Sequence, residues 1–477
     1  MSRIRIVKGK YTKIIGGDYN ISAEGSIVTN AADEVREKGQ EEGVSYGDYE
    51  RLGSNVNEDF DMQFSLKKDG PHTTVVPLGI LDFEGNFENA FFAFNFSLSQ
   101  SNVDTLKFEI LDADGKEIYA ITNLPEIVIT ARKYPLLMQK IEEQKPEFDP
   151  TNPKNIWDWK PVYASFNVSV DDYTKIGTYV LLWDGFDNQG IYDSSIFNDK
   201  TLTAKVTGKK GGISKSKEAT FHVSRKGVNW VDVKIDKTNK KVETSLKVDL
   251  EDGGNEGLDR GNKVSAEALA YYNRVPLSTQ RAYADIEKLA LDGIARFWSR
   301  NAGNIGKGVR IDNELYEVSV TAQTDNSKGL AAPKIIYQTN TEEGRSRNWE
   351  MSRILYFYEG YLYYGDWKKS DQNKALYKNK GWYYKTADID DFKMVAAHEI
   401  GHEILLAYGG GVYSKTHKGT SHWSMIIQDP DEDATYIPKS GEIDLMKYYH
   451  DYYDISRTVI SEFDLLKVIW LTKIKIK

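Results

Sequence analysis

The chain has 477 residues, a formal net charge of -9 and no cysteine. It is longer than one ordinary domain, and its acidic balance argues against a nucleic-acid-binding protein, which would normally carry a basic surface. The lack of cysteine excludes disulfides, thiolate metal sites and cysteine nucleophiles, so any metal must be held by histidine and carboxylate side chains.

The N-terminal stretch predicts a leader segment. Residues 1–57 are rich in Gly, Asn and charged residues, without a long periodic segment, and we expect them to be half-ordered. The start "MSRIRIVKGKYTKIIGGDYN" has no apolar core and no small-residue cleavage site, so it does not fit a Sec signal peptide. No apolar run approaches the roughly 20 residues that a membrane span needs. We therefore expect no membrane span, and export only by a route without a signal peptide.

The next segments predict β-structure. Residues 58–131 contain runs that alternate apolar and polar side chains, such as "AFFAFNFSL" and "TLKFEILDADGKEIYAIT", which is typical of short strands in an immunoglobulin-like β-sandwich. The run "DADGKE" resembles part of a calcium loop, but the chain returns to strand at once, which predicts a hairpin turn. Residues 132–156 are proline-rich and predict a linker. Similar strands across 157–225 predict a second immunoglobulin-like sandwich.

The remaining stretch, 226–477, mixes helical and strand patterns. The run "STQRAYADIEKLALDGIARFWSR" carries apolar residues at helical spacing, tyrosine-rich strands follow, and "DISRTVISEFDLLKVIWLTK" is again helical in period. The sequence therefore predicts a multidomain protein, with all-β modules followed by an α+β domain of roughly 250 residues.

The run "FKMVAAHEIGHEILLAYGGG" contains the candidate metal ligands and a candidate general base. Apolar positions predict a helix that starts near Asp388 and ends at Gly409–Gly411, because glycine accepts the left-handed conformation. His398 and His402 are four residues apart, so both imidazoles lie on one side of the helix and can share a tetrahedral Zn²⁺. Glu399 is displaced around the helix axis, which favours a role as general base over a role as ligand.

A catalytic zinc site needs a third protein ligand and one open position. His417 is the first candidate, because it follows a glycine triplet that lets the chain turn back towards the helix. Asp444 in "SGEIDLMKYY" and His422 are the alternatives. The third ligand is left open among these three residues.

The motif and the later run "DLMKYY" resemble the metzincin clan of zinc metalloproteases. The resemblance implies a zincin-like fold, in which Met446 forms a Met-turn under the metal and Tyr448 faces the substrate oxyanion; His422 is a second candidate for that oxyanion role. The chain departs from the clan at Leu405 and Tyr408, where metzincins have glycine and the third histidine. The helix must therefore continue further here than in metzincins.

The longer run from "AAHEIGHEIL" to "VIWL" resembles peptidase-like toxin domains of bacterial type VI secretion spike and cargo proteins, and the leader is similar to secreted polymorphic toxins of Bacteroidetes. The resemblance implies a zinc endopeptidase that cleaves protein or peptide substrates and leaves the cytoplasm through a contractile secretion apparatus. It also implies partners: a component of that apparatus and an inhibitory immunity protein. No nucleic-acid partner is expected. The alternative is a non-catalytic zinc-containing protein whose sandwiches dock to a secretion apparatus or cell surface.

Overall fold

The computed structural model describes residues 59–80, 82–83, 88–122, 173–256, 281–311, 314–338, 345–358, 360–363, 381–384, 388–422, 430–432, 434–450 and 453–477. The predicted leader and linker lie outside the described residues. The described part is rich in β-structure, with helices α1 Tyr283–Trp298, α2 Asp388–Lys415 and α3 Glu462–Trp470. The strands are β1 Asp61–Leu66, β2 Thr74–Val75, β3 Phe92–Ser99, β4 Thr105–Leu111, β5 Glu117–Ile121, β6 Gly177–Trp183, β7 Ile191–Asp193, β8 Lys200–Lys210, β9 Ile213–Arg225, β10 Val231–Asp236, β11 Lys241–Glu256, β12 Val309–Ile311, β13 Glu314–Thr324, β14 Leu330–Gln338, β15 Arg347–Trp349, β16 Ser352–Tyr358, β17 Gly360–Tyr363, β18 Gly381–Tyr384, β19 Ile443–Asp444, β20 Thr458–Val459 and β21 Ile474–Ile476.

Two sheets, built mostly from strands of the first half of the described chain, pack together. One has the strand order β1-β3-β6, and the other has the order β2-β21-β9-β8-β4-β5. Phe94 on β3 contacts Phe108 on β4 and Phe221 on β9, with ring centroids 5.5 and 5.7 Å apart. Alternate residues of these strands are buried, because side chains of a strand point to opposite faces in turn. The turn "DADGKE" joins the antiparallel strands β4 and β5, which confirms the predicted hairpin.

Strands from the two stretches predicted as separate sandwiches share these sheets. β3 pairs with β6 in a register that places Phe92 opposite Trp183, and β4 pairs with β8. The last strand, β21, pairs with β2 and β9. Segments that are far apart in the sequence are therefore interleaved in space, because hydrogen bonding between strands is set by long-range packing that a local alternation pattern does not encode.

The second half is built on a mixed eight-stranded sheet. Its order is β12-β13-β11-β14-β16-β15. In addition, β10 pairs with β11, and β7 pairs with β10. The pairs β11–β13, β11–β14 and β14–β16 are parallel. β12, β10 and β15 pair antiparallel with β13, β11 and β16. α1 and α2 pack against each other and against this sheet. No helix among the described residues is long and apolar enough to cross a membrane.

The crossing of α1 and α2 depends on one glycine. An ideal Cβ placed on Gly293 of α1 would lie 2.3 Å from the carbonyl oxygen of Lys393 on α2, so only glycine lets the helices approach so closely. The indole Nε1 of Trp298 donates to the carbonyl of Ala397 at 3.1 Å and fixes the end of α1 beside His398. The apolar stripe predicted for α1 is confirmed, since Ile286, Ala290, Ile294 and Phe297 are buried.

The C-terminal helix is shorter than the sequence pattern predicts. α3 begins after Ser461, whose hydroxyl accepts a hydrogen bond from the backbone N–H of Asp464 at 3.2 Å. Ile455 lies in a 3₁₀ turn and Val459 in β20, so the prediction that they belong to the helix was wrong. A serine cap provides a strong start signal that the apolar period alone does not contain.

Candidate metal centre

α2 carries the first two histidines. His398 and His402 face the same side of the helix, with ring centroids 4.9 Å apart, as their spacing predicts. Buried Ala396, Ala397 and Ile400 hold this part of α2 against the core. Met446 is fully buried, and its Sδ would lie 2.3 Å from a Cβ on Gly401, so a glycine between the two histidines makes room for the methionine.

After α2 the chain turns back and places His417 beside the two histidines of the helix. Gly410 has a φ of +73° and interrupts α2, but the chain resumes the helical path up to Lys415. His417 and Lys418 then take positive φ values of 49° and 62°, which turn the chain back. The predicted end of the helix at the glycines is therefore an interruption, and the return depends on a second, tighter turn.

The three histidines form one cluster. One ring nitrogen from each of His398, His402 and His417 lies within 4.8 Å of the others, close enough to hold one metal ion. The His402 and His417 rings lie 4.9 Å apart, and those of His398 and His417 lie 5.3 Å apart. Among the described residues, this is the cluster of histidines and carboxylates whose geometry fits a metal ion.

Each imidazole of the cluster is held through Nδ1. The Nδ1 atom of His398 donates to the carbonyl of Leu445 at 2.8 Å, and that of His402 lies 3.1 Å from the carbonyl of Ser414. The Nδ1 atom of His417 lies 2.6 Å from Ser421 Oγ. Such bonds fix the ring orientation and leave Nε2 as the ligand atom.

The buried Nε2 of His417 has no hydrogen-bond partner. Buried polar atoms are rarely left without one, so this atom indicates that a ligand belongs at the centre of the cluster. Burial lowers the pKa of all three histidines, and for His402 and His417 the neighbouring imidazoles lower it further. The rings are therefore neutral, which is the form that coordinates a metal. The residues present fit a metal ion.

Glu399 lies on α2 between the two histidines and is buried. Burial raises the pKa of Glu399 to about 7, and the charges of Arg345 and Lys415 oppose this effect. The amide of Asn348 on β15 donates to the backbone carbonyl of Glu399 at 2.9 Å, which joins α2 to the edge of the large sheet. A carboxylate with this pKa can both accept and donate a proton near neutral pH.

The alternative third ligands have other contacts. Asp444 accepts from Lys418 Nζ at 2.5 Å and from the backbone N–H of Met446 at 3.0 Å, and it is not part of the metal-binding cluster. His422 is 87% exposed and pairs with Asp431 at 2.9 Å. The structure therefore brings His417, and neither alternative, to His398 and His402.

Tyr448 lies against the cluster. Its ring stacks on that of His417 with centroids 3.6 Å apart, and its hydroxyl accepts from Arg345 Nη2 at 3.0 Å. Tyr448 was predicted near the metal by resemblance alone, and Arg345 and Asn348 were not predicted. Neither residue belongs to a sequence motif, because their contacts with Tyr448 and with the carbonyl of Glu399 join segments that are far apart in the sequence.

Comparison with known proteins adds little to this picture. No known protein family and no curated protein matches the chain. Among solved structures it is similar to a β-glucuronidase of Bifidobacterium dentium in complex with coumarin-3-O-glucuronide, at 8% identity and a TM-score of 0.13. An apo β-glucuronidase of Ruminococcus gnavus gives 8% and 0.12. Each similarity covers 55% of this chain and 30% of the glucuronidase and carries no argument about fold or function.

Proposed function

We propose that the protein is a zinc-dependent endopeptidase. The observation that carries the proposal is the convergence of three neutral imidazoles, one with a buried and unpartnered Nε2, beside the buried carboxyl group of Glu399. Three protein ligands with one position left over are typical of catalytic zinc sites, whereas structural sites use four. The absence of cysteine is consistent with an all-histidine ligand set.

His398, His402 and His417 would hold the ion through their Nε2 atoms. A zinc ion held there would supply a Lewis acid able to polarise a peptide carbonyl and to lower the pKa of a water molecule towards about 7. The hydrogen bonds from Nδ1 to Leu445, Ser414 and Ser421 keep the rings in place. The Met446 side chain packs against α2 at Gly401.

Glu399 carries the proton in this proposal. Its carboxylate accepts a proton from the attacking water and then delivers it to the nitrogen of the leaving amine. The Tyr448 hydroxyl, next to His417, would stabilise the oxyanion of the substrate, an interaction worth about 3 kcal/mol by analogy with one donor of an oxyanion hole. His422, the other residue predicted for that role, is mostly exposed and paired with Asp431, which favours Tyr448.

Metal analysis together with cleavage of an unfolded protein such as casein tests the proposal. We expect about one zinc ion per chain, cleavage by the zinc-loaded protein, and loss of cleavage with a chelator that zinc restores. Bound zinc without cleavage of casein or of a broad peptide library would contradict the peptidase and favour a non-catalytic zinc-containing protein that acts by docking.

We also propose that the peptidase is a bacterial toxin exported through a contractile, type VI-like apparatus, with an immunity protein as a partner. The support is the resemblance of its sequence to secreted toxins. Comparison of culture supernatants from strains with and without the contractile sheath tests the route. We expect the protein only in the supernatant of the strain that has the sheath. Equal amounts in the supernatants of both strains would contradict the proposal.

A further inference from the structure

Arg345 lies at the rim of the histidine cluster. It is exposed and precedes β15, the edge strand of the large sheet. The same strand holds Asn348, which is bonded to the carbonyl of Glu399. The position of Arg345 is therefore fixed relative to α2 by a short, hydrogen-bonded strand.

The guanidinium group of Arg345 reaches the site through Tyr448. Its Nη2 donates to the Tyr448 hydroxyl at 3.0 Å, and the Tyr448 ring is stacked on His417. The backbone N–H of Tyr448 donates in turn to Thr420 Oγ1 at 2.8 Å. This chain of contacts sets the guanidinium beside the metal ligands, with most of its five N–H donors left for a ligand.

The charge of Arg345 is not balanced by a carboxylate within ion-pair distance in the part of the chain that the structure describes. Two other arginines differ in this respect: Arg353 on β16 pairs with Glu403 at 3.2 Å. Arg300 pairs with Glu442 at 2.7 Å. Arg345 thus leaves a positive charge next to Tyr448 and His417. This side of the site is therefore electropositive.

We propose that Arg345, held by Tyr448, binds a carboxylate group of the substrate, so that the site prefers peptides that present a carboxylate at this position. The inference rests on the proposed peptidase function and names its substrate class. A planar guanidinium matches a carboxylate with two parallel hydrogen bonds, a geometry that a lysine ammonium does not reproduce. The carboxylate belongs either to an Asp or Glu side chain or to the C-terminus of the peptide.

Binding to the zinc-loaded full chain carrying Glu399→Gln tests the proposal without turnover. The probes are peptide amides that are neutral except for one Glu moved along the sequence, the matched Gln peptides, and the same neutral peptide as a free acid. We expect one Glu position, or the free acid, to bind about 10- to 100-fold more tightly than its neutral match, as for a hydrogen bond to a charged group. The Glu series and the free acid distinguish the two sources of the carboxylate.

Adding Arg345→Met should abolish this preference, and Arg345→Lys should keep only part of it. The matched control is Arg310→Met, because Arg310 is exposed on β12 at the opposite edge of the same sheet, and it should keep the full preference. Equal binding of charged and neutral peptides, or a preference that survives Arg345→Met, would overturn the proposal.

Turnover gives a second readout with Glu399 intact. We expect Arg345→Met to raise KM for acidic peptides and to leave KM for the matched neutral peptides nearly unchanged, while any change in kcat that follows from the loss of the Tyr448 contact affects both kinds of peptide alike. The same change in KM for acidic and for neutral peptides would overturn the proposal, since Arg345 would then not recognise the carboxylate. A charge preference in binding without any cleavage would contradict the peptidase and leave the carboxylate site standing.

Discussion

At the scale of single residues, the Nε2 atom of His417 is the clearest indication of a metal site. It is buried without a partner, while the Nδ1 atoms of all three histidines are engaged by a serine hydroxyl or by backbone carbonyls. Each ring is therefore oriented before a metal arrives. His398 and His402 were predictable because their i,i+4 spacing is a local property of a helix, whereas the choice of His417 over Asp444 depends on a turn at positive φ that no pattern encodes.

His417→Ala should greatly weaken metal binding. The substitution removes one of three ligands, and even residues that only hydrogen-bond a ligand typically change the affinity for the metal by 10- to 100-fold, so we expect a loss of more than about 100-fold. Competition with a chromophoric chelator measures the affinity. His422→Ala is the matched control, because His422 is mostly exposed, and it should bind zinc normally. Similar losses in both variants would contradict the ligand assignment.

At the scale of elements, a buried ionic cluster joins the turn of His417 to α3 and to the chain before Met446. Lys418 Nζ lies 2.5 Å from both Asp444 and Asp464 and 3.2 Å from Ser461 Oγ. Burial opposes the charge of Lys418, but the two carboxylates outweigh it and raise its pKa. Asp464 also accepts hydrogen bonds from the hydroxyls of two tyrosines near the C-terminal end of α2, Tyr408 and Tyr413.

Lys418→Met should destabilise the protein by roughly 3–5 kcal/mol, because it leaves the buried carboxylate of Asp464 and the half-buried one of Asp444 without their cation. Chemical denaturation measures the free energy of unfolding. Lys288→Met is the matched control: it removes an ion pair with Asp292 on exposed α1 positions and should change stability by at most about 1 kcal/mol. Equal effects of the two substitutions would contradict a stabilising role for the cluster. The sequence pattern did not reveal this network, since its members come from three separate segments.

Across the whole molecule, strands that pair within one sheet come from segments that are far apart in the sequence. The alternation of apolar residues predicts strands at β3, β4, β8 and β9, but it does not say which strands pair. β21 at the C-terminal end pairs with β2 and β9, and Lys467 of α3 donates to the carbonyl of Asp82. Lys473 also forms a buried ion pair with Glu88. The two halves therefore share hydrogen bonds and buried charges.

A fragment of residues 226–477 should not fold as the full chain does. It retains the three histidines and Glu399 but loses β2 and β9, the neighbours of β21, and leaves Lys467 and Lys473 without their partners. Circular dichroism, thermal unfolding and zinc content measure the outcome. We expect a lower melting temperature or no cooperative transition. A fragment as stable as the full chain, with zinc bound, would contradict this prediction and support an independent catalytic domain.

The central claim is that Glu399 moves the proton at a site formed by three histidines. Its most direct test measures zinc content and peptide cleavage together for Glu399→Gln and for Glu403→Gln, which changes a buried glutamate one helical turn further along α2 that pairs with Arg353. We expect both variants to bind zinc. Glu399→Gln should lose cleavage by at least about 100-fold, the lower range for general acid–base catalysis, whereas Glu403→Gln should remain active. Cleavage by zinc-loaded Glu399→Gln at the wild-type rate would contradict the account.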